Sequence, residues 1–385
     1  MRILSKLVAG AAVLATVTMI SAGPALADPP KGTVPADTDI VGVGSNTSEF
    51  LLDQLSVDYN KTVSSSAPHL WSFDATNPYN GDIGDNIITK KNCKAIPRPD
   101  GSSAGITTLD SNLKVASKDY CVDYARSSRE RTSSDPPEGK GGILFVRLAT
   151  DAVSYASVTG HTNAPKNLTT ADLTAIYSCT DTTWKQVGGT STATIHPLLP
   201  QPGSGTVSFF LAAIGVTTPG SCVDQPATLE ENEGTNSIYK SANAANEIVP
   251  FSVGKWVAQA YHSAKCNDAE CTPVSDKICD AGSGGTNAFG CDVNGVLGVN
   301  SINGTAPTVG SGDSTTINPS FSSAFIRPLF DVVRYSTSTP DNIPAYLEPF
   351  FASATAAVKG YVCTDPGSAI QDYGFLTTPL CGLGS

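Results

Sequence analysis

The stretch TDIVGVGSNTSEFLLDQLSVDYN, residues 38–60, carries the first decision about fold. Its opening half, Ile40 to Gly44, has the apolar, β-branched character of a short buried strand ending in a glycine turn. Its second half reads as a helix, with Leu51, Leu52, Leu55 and Tyr59 on the buried face. Asn46 stands where it can cap that helix, with Glu49 three residues on. A strand running through a glycine turn into a helix is the repeating unit of α/β proteins.

The same alternation continues along the chain. VDYARSSRE (122–130) reads as a strand end entering a loop, and GGILFVRLATDAVSYASV (141–158) as a buried strand pair around a turn. NLTTADLTAIYSC (167–179) is a capped amphipathic helix with Leu173, Ile176 and Tyr177 inward. EIVPFSVGKWVAQAYH (247–262) holds another strand and helix, AFIRPLFDVVRYST (324–337) a buried strand, and residues 342–362 a helix. Residues 263–320, rich in Gly, Ser and Cys, read as disulfide-stapled loops. The pattern predicts an α/β fold with largely parallel sheets and no internal repeat.

The first residues address the compartment. Arg2 and Lys6 precede an apolar run from Leu7 to Ile20, and Ala25-Leu26-Ala27 supplies small residues for cleavage after Ala27. Residues 1–27 therefore read as a secretory signal, followed by a Pro-rich linker at 28–37. The first cysteine is Cys93, so a lipid anchor at the cleavage site is not expected, nor is a membrane span. Cleavage would leave 358 residues, enough for two domains, and a net charge of −13, with 22 basic residues against 35 acidic. Such a chain has no overall field for nucleic acid or an acidic membrane; an anion needs local, aimed donors. Ten cysteines suit an oxidising compartment, and neighbour pairing gives 93–121, 179–222, 266–271, 279–291 and 363–381. Zinc is not expected, because no Cys-x-x-Cys occurs and the four histidines are scattered.

Three loops of small and hydroxyl residues stand at expected helix starts: Ser45-Asn46-Thr47, Gly101–Gly105 and Gly203–Thr206. RSSRER (126–131) adds three arginines. Each loop alone reads as an ordinary cap, but together they assemble the hydroxyl, N–H and cationic donors that hold an oxyanion. GSSAG (101–105) also matches Gly-x-Ser-x-Gly, which would make Ser103 a hydrolase nucleophile. Against this, KKNCKAIPRPD precedes it where an apolar strand is required, so a loop opening a helix at Gly105 or Ile106 is the expectation.

With these loops in order, the chain resembles the periplasmic phosphate-binding proteins that serve ABC importers. VGVGSNTSEFLLDQL, DGSSAGI, VDYARSS, NLTTADLTAIYSCTDTTWKQV, PGSGTVSFF and EENEGTNSIY are similar to that family's successive segments. The resemblance implies two α/β domains around a cleft with a hinge: residues 38–146 plus 322–385, and residues 147–321. It implies a monomeric, secreted, non-enzymatic solute-binding protein without cofactor or metal. Phosphate or a related oxyanion would be held by Asn46, Thr47, Ser103, Arg126, Ser127, Ser128, Ser204, Gly205 and Thr206. Two departures stand out. Ser128 replaces the family's usual third-loop carboxylate, and Pro200 its usual arginine, whose charge Arg126 or Arg129 could restore. The alternatives are a secreted serine hydrolase using Ser103 and an exported binding fold that has lost its ligand.

Overall fold

The computed structural model describes residues 28–29, 33–77, 83–115, 119–262, 295–352, 360–364 and 368–384. The expected leader, the cysteines at 266, 271, 279 and 291, and the middle of the expected C-terminal helix lie outside these residues.

Strand β1 (Ile40–Gly44) is buried throughout and pairs in parallel with β2 (Leu70–Ser72) on one edge and β3 (Tyr124–Ser127) on the other. Gly44 turns the chain at φ +115°, where a side chain is strained, and leads to helix α1 (Glu49–Thr62). Leu51, Leu52 and Leu55 are buried on its inner face, as expected, and Tyr59 packs on Phe350. The expected Asn46–Glu49 cap does not form. Ser48 occupies the cap position, Glu49 accepts the Ala75 N–H at 3.1 Å, and Asn46 donates instead to Glu230 at 3.0 Å.

Residues 141–158 do not turn back on themselves. They form one strand, β4 (Ile143–Val158), sixteen residues long. The sequence break at Ala149-Thr150-Asp151 looks like a turn because a carboxylate interrupts an apolar run. Here that carboxylate is buried against Arg327, so the strand continues through it. Helix α3 (Thr170–Tyr177) follows, with the expected inward residues and a reciprocal cap between Thr169 and Asp172. Next come β5 (His196–Pro197), α4 (Gly205–Ala213), β6 (Glu247–Ser252), the short α5 (Val253–Val257), β7 (Leu297–Val299) and β8 (Ile326–Arg334).

The fold is α/β, as read, but its sheet is mixed rather than largely parallel. Its order is β5-β6-β4-β8-β3-β1-β2, with β7 also on β4. The outer pairs β1–β2, β1–β3 and β5–β6 are parallel. The central pairs β3–β8, β8–β4 and β4–β6 are antiparallel, because β4 and β8 cross from one half to the other in opposite directions. Along β4, Leu144, Val146, Leu148 and Ala149 pack with α1 and the C-terminal segments, and Ile143 and Phe145 with Ile106 and Leu109; Ala152, Val153 and Tyr155 join α3, α4 and α5. The core changes hands on β8 between Ile326 and Leu329.

Three other expectations meet the structure differently. Helix α2 begins at Gly101 rather than Gly105 and runs to Asp110. Of the expected loop region, the described part contains β7 and small strand pairs, including Thr308–Val309 with Thr316–Ile317. Asp28, at the start of the expected linker, is buried with both carboxylate oxygens on Arg98 at 3.0 and 2.8 Å. Disulfides Cys93–Cys121, Cys179–Cys222 and Cys363–Cys381 match the neighbour pairing.

Asp331 on β8, opposite Arg126 on β3, is buried with neither carboxylate oxygen hydrogen-bonded. Burial pushes its acid dissociation up from 3.8 to about 8 despite the nearby guanidinium. The unfolded chain releases this proton near 3.8, whereas the folded chain keeps it to about 8. Its contribution is therefore fully present on the acid side and is lost as pH rises through that window, by at most about 1.4 kcal/mol per pH unit. Urea unfolding at pH 5 and pH 8 should show Asp331→Asn gaining stability relative to wild type at the higher pH. A constant difference between the two proteins would show that Asp331 does not titrate in that window.

Candidate functional site

Four segments meet where the two halves face each other: the loop after β1, the start of α2, the end of β3 and the start of α4. They approach closely because glycine lines the contact. The Ser103 N–H donates to the Gly203 carbonyl at 3.2 Å, and a Cβ on Gly205 would overlap the hydroxyls of Ser102 and Ser128. Ser204 caps α4, accepting the Val207 N–H at 3.1 Å. At this point the chain sets a helix N-terminus against a nest of hydroxyls, an arrangement that favours negative charge.

That negative charge is Glu231. Its Oε1 accepts from Thr47 Oγ1 at 2.9 Å and, more weakly, from Ser45 Oγ at 3.5 Å. Its Oε2 accepts from the Thr206 N–H at 3.2 Å and from Ser204 Oγ in a short hydrogen bond. The residue is 4% exposed. Thus Thr47 from one half and Ser204 and Thr206 from the other converge on one carboxylate.

Behind them stands Arg327 of β8, wholly buried. Its guanidinium donates to Asp151 Oδ2 at 2.8 and 3.0 Å, to the Ser128 carbonyl at 2.9 Å and to Thr206 Oγ1 at 3.0 Å. Asp151 also accepts from Ser252 Oγ at 2.9 Å and from the Gly254 N–H at 3.0 Å, so its charge is met from several directions.

The other expected residues are placed as follows. Ser128 Oγ lies 3.1 Å from Ser45 Oγ and 3.3 Å from Ser102 Oγ, at the wall of the cradle. Asn46 sits at its mouth, between Glu230 and Gln201. Ser127 folds back to donate to the Arg129 carbonyl. Ser103 accepts from Arg129 Nε at 3.2 Å, and no described histidine hydrogen-bonds it, so nothing supports its reading as a nucleophile. Arg126 is spent on Ser72 and the carbonyls of Gly44 and Ser45, and Arg129 on Asp135. Neither hydrogen-bonds Glu231. The cation at the cradle is Arg327, which the loops alone do not reveal. Its signal is a charge set within an apolar strand, as Asp151 is in β4.

The mouth is crowded with acid. Asp100 accepts from Gln201 Nε2 at 3.1 Å, and Glu230 keeps one buried oxygen unpartnered. Burial, then the neighbouring Asp100, Glu233, Glu231 and Glu49, drive Glu230 up to about 9. Across the halves, Lys255 Nζ lies 3.8 Å from Glu49 Oε1 and 3.7 Å over the Phe50 ring; burial lowers the lysine and raises the glutamate. Among the described residues, no cluster of His, Cys, Asp and Glu could hold a metal ion, and no helix is long and apolar enough to cross a membrane.

Replacing Arg327 by Met should strand Asp151 in the interior and cost about 3–5 kcal/mol of stability. Adding Asp151→Asn should recover part of the loss, because no unpaired charge then remains. Denaturant titration of the three proteins checks this, and equal midpoints would show that the pair is not holding the halves together.

No curated protein matches the chain in sequence. Among solved structures, a putative phosphate ABC transporter substrate-binding protein with bound phosphate, from Clostridium perfringens, is similar at TM-score 0.50 and 13% identity, over 88% of this chain and 99% of that one. An ABC-type phosphate transport receptor from Vibrio cholerae is similar at TM-score 0.49 and 17% identity, over 88% and 100% of the two chains. The first likeness shows a shared fold. The family model described as the PBP superfamily domain matches residues 78–266, from the first half through β4 and α4 to beyond α5. The resemblance read from the loops agrees with that match, which spans just under half of the chain.

Proposed function

We propose that this protein is an exported solute-binding protein that holds phosphate, or a related tetrahedral oxyanion, between its two halves. The observation that carries the proposal is the convergence of Thr47, Ser204 and the Thr206 N–H on a single anionic group, with Arg327 beside them. Neutral hydroxyl and N–H donors aimed at one point in a buried site stabilise an anion without leaving a fixed excess charge when it departs. Nothing in the arrangement supplies a nucleophile with a base, so the reading is binding rather than catalysis.

The leader-like residues 1–27 and the cysteine pairing support export to an oxidising compartment. Phosphate is the first ligand to test because the Clostridium perfringens structure, which shares this fold, contains it. An ABC importer is the corresponding partner, since that structure's own description places it with such a transporter.

The test is calorimetric titration of the oxidised protein with inorganic phosphate. A single saturable site is expected. Glu231 takes one side-chain hydroxyl from the α4 loop, that of Ser204, whereas a tetrahedral oxyanion has oxygens for both Ser204 and Thr206. The double variant Ser204→Ala/Thr206→Val should therefore weaken phosphate at least tenfold, or about 1.4 kcal/mol. Undiminished affinity would remove this loop from the site.

A further inference from the structure

The two oxygens of Glu231 take the donors of the cradle that face the cleft. Arg327 cannot neutralise a second anion there at full strength, because it is already paired with Asp151. An external oxyanion and the Glu231 carboxylate would also compete for the same hydroxyls, at a separation where buried like charges repel strongly. The two cannot occupy the cradle together.

The segment that brings Glu231 in belongs to no described helix or strand. Besides its carboxylate, several contacts of its backbone and its neighbours hold it. The Glu231 N–H donates to Gln201 Oε1 at 2.8 Å, Asn232 Oδ1 accepts the Ser252 N–H at 2.8 Å, and Gln259 donates to the Asn232 carbonyl at 3.1 Å. Glu230, beside it, is half-buried with one buried, unpartnered oxygen and faces Asp100. Seating the segment thus crowds carboxyl groups, which offsets part of what the cradle gains from Glu231.

Resting on the oxyanion reading above, we propose that Glu231 is a tethered internal ligand: its carboxylate fills the oxyanion cradle, and a free oxyanion binds by displacing it. The apparent affinity for the external anion is then reduced by the fraction of molecules whose cradle is free. This sets the working range of the protein at higher anion concentrations than the bare cradle would have. It also ties ligand arrival to release of residues 230–233, a change at the protein's own cleft mouth.

Three proteins decide the matter: wild type, Glu231→Ala and Glu231→Gln, each titrated with inorganic phosphate, and separately with sulfate, in carboxylate-free buffer. If Glu231 is the competitor, Glu231→Ala binds phosphate at least tenfold more tightly than wild type. Acetate, standing in for the missing side chain, then competes with phosphate in Glu231→Ala and raises its thermal midpoint, while leaving the wild-type midpoint unchanged. Should Glu231→Ala fail to fold, Glu231→Gln carries the test, because it keeps the shape, loses the charge and should still gain affinity. Phosphate affinity unchanged or reduced in the folded variants, with wild type binding, overturns the proposal and leaves the oxyanion reading standing, with Glu231 as a supporting residue of the site. Absence of phosphate and sulfate binding in all three proteins overturns both readings.

Discussion

The ion pair between Arg327 and Asp151 is the contact on which the rest of the molecule depends. It joins the two strands that cross between the halves, at the level where each strand leaves one core and enters the other. Two charges buried so completely are destabilising unless their remaining donors and acceptors are met. Here they are: Arg327 also serves Ser128 and Thr206, and Asp151 also serves Ser252 and the start of α5. One pair therefore fixes the strand crossing, the end of β3, the start of α4 and the start of α5 relative to one another. The cradle is assembled around it as a consequence.

The distribution of charge follows from that arrangement. The positive end of the site comes from the crossing strand, where it is rigid, and the loops contribute uncharged donors. Negative groups arrive on the segment at 230–233, where Glu231 fills the cradle and Glu230 stays at the mouth with Asp100. In a low-dielectric cleft, an anion is held best by dipoles already pointing at it, because they need no reorganisation. Thr47, Ser204 and the Thr206 N–H meet that requirement, each fixed by the turn or helix start that carries it.

Much of this was legible in the sequence, and the failures share a cause. The strand–turn–helix at 38–60, the α3 helix and the hydroxyl-rich start of α4 announce themselves through local periodicity and capping. The continuous β4 did not, because a charged residue in an apolar run normally marks a turn. Its partner lies 176 residues away on β8, beyond the reach of any local pattern. For the same reason the loops point to Arg126 and Arg129 as cations, although both are consumed by other partners, those of Arg126 lying 54 to 82 residues away. The spacing of Asn46 to Glu49 reads as a cap, but the distant Glu230 claims its amide. Glu231 carries no local signal of its role, since its neighbours are other acids and its partners come from both halves. Propensity placed the elements; long-range electrostatics decided which polar groups meet.

The paired crossing strands have a mechanical consequence. Nine residues of β8 lie in register along β4, so the link between the halves is a hydrogen-bonded ribbon two strands wide rather than two separate tethers. Such a ribbon behaves as a leaf spring: it flexes out of its own plane at little cost and resists shear within it, because in-plane sliding would break the ladder. The register slips once, between Leu329 and Phe330, close to Arg327. At a bulge the ladder is locally interrupted and the strand bends more readily. The pliant point of the spring therefore lies beside the residue that anchors the cradle, so that any flexing of the link is felt first where the Glu231 carboxylate is held.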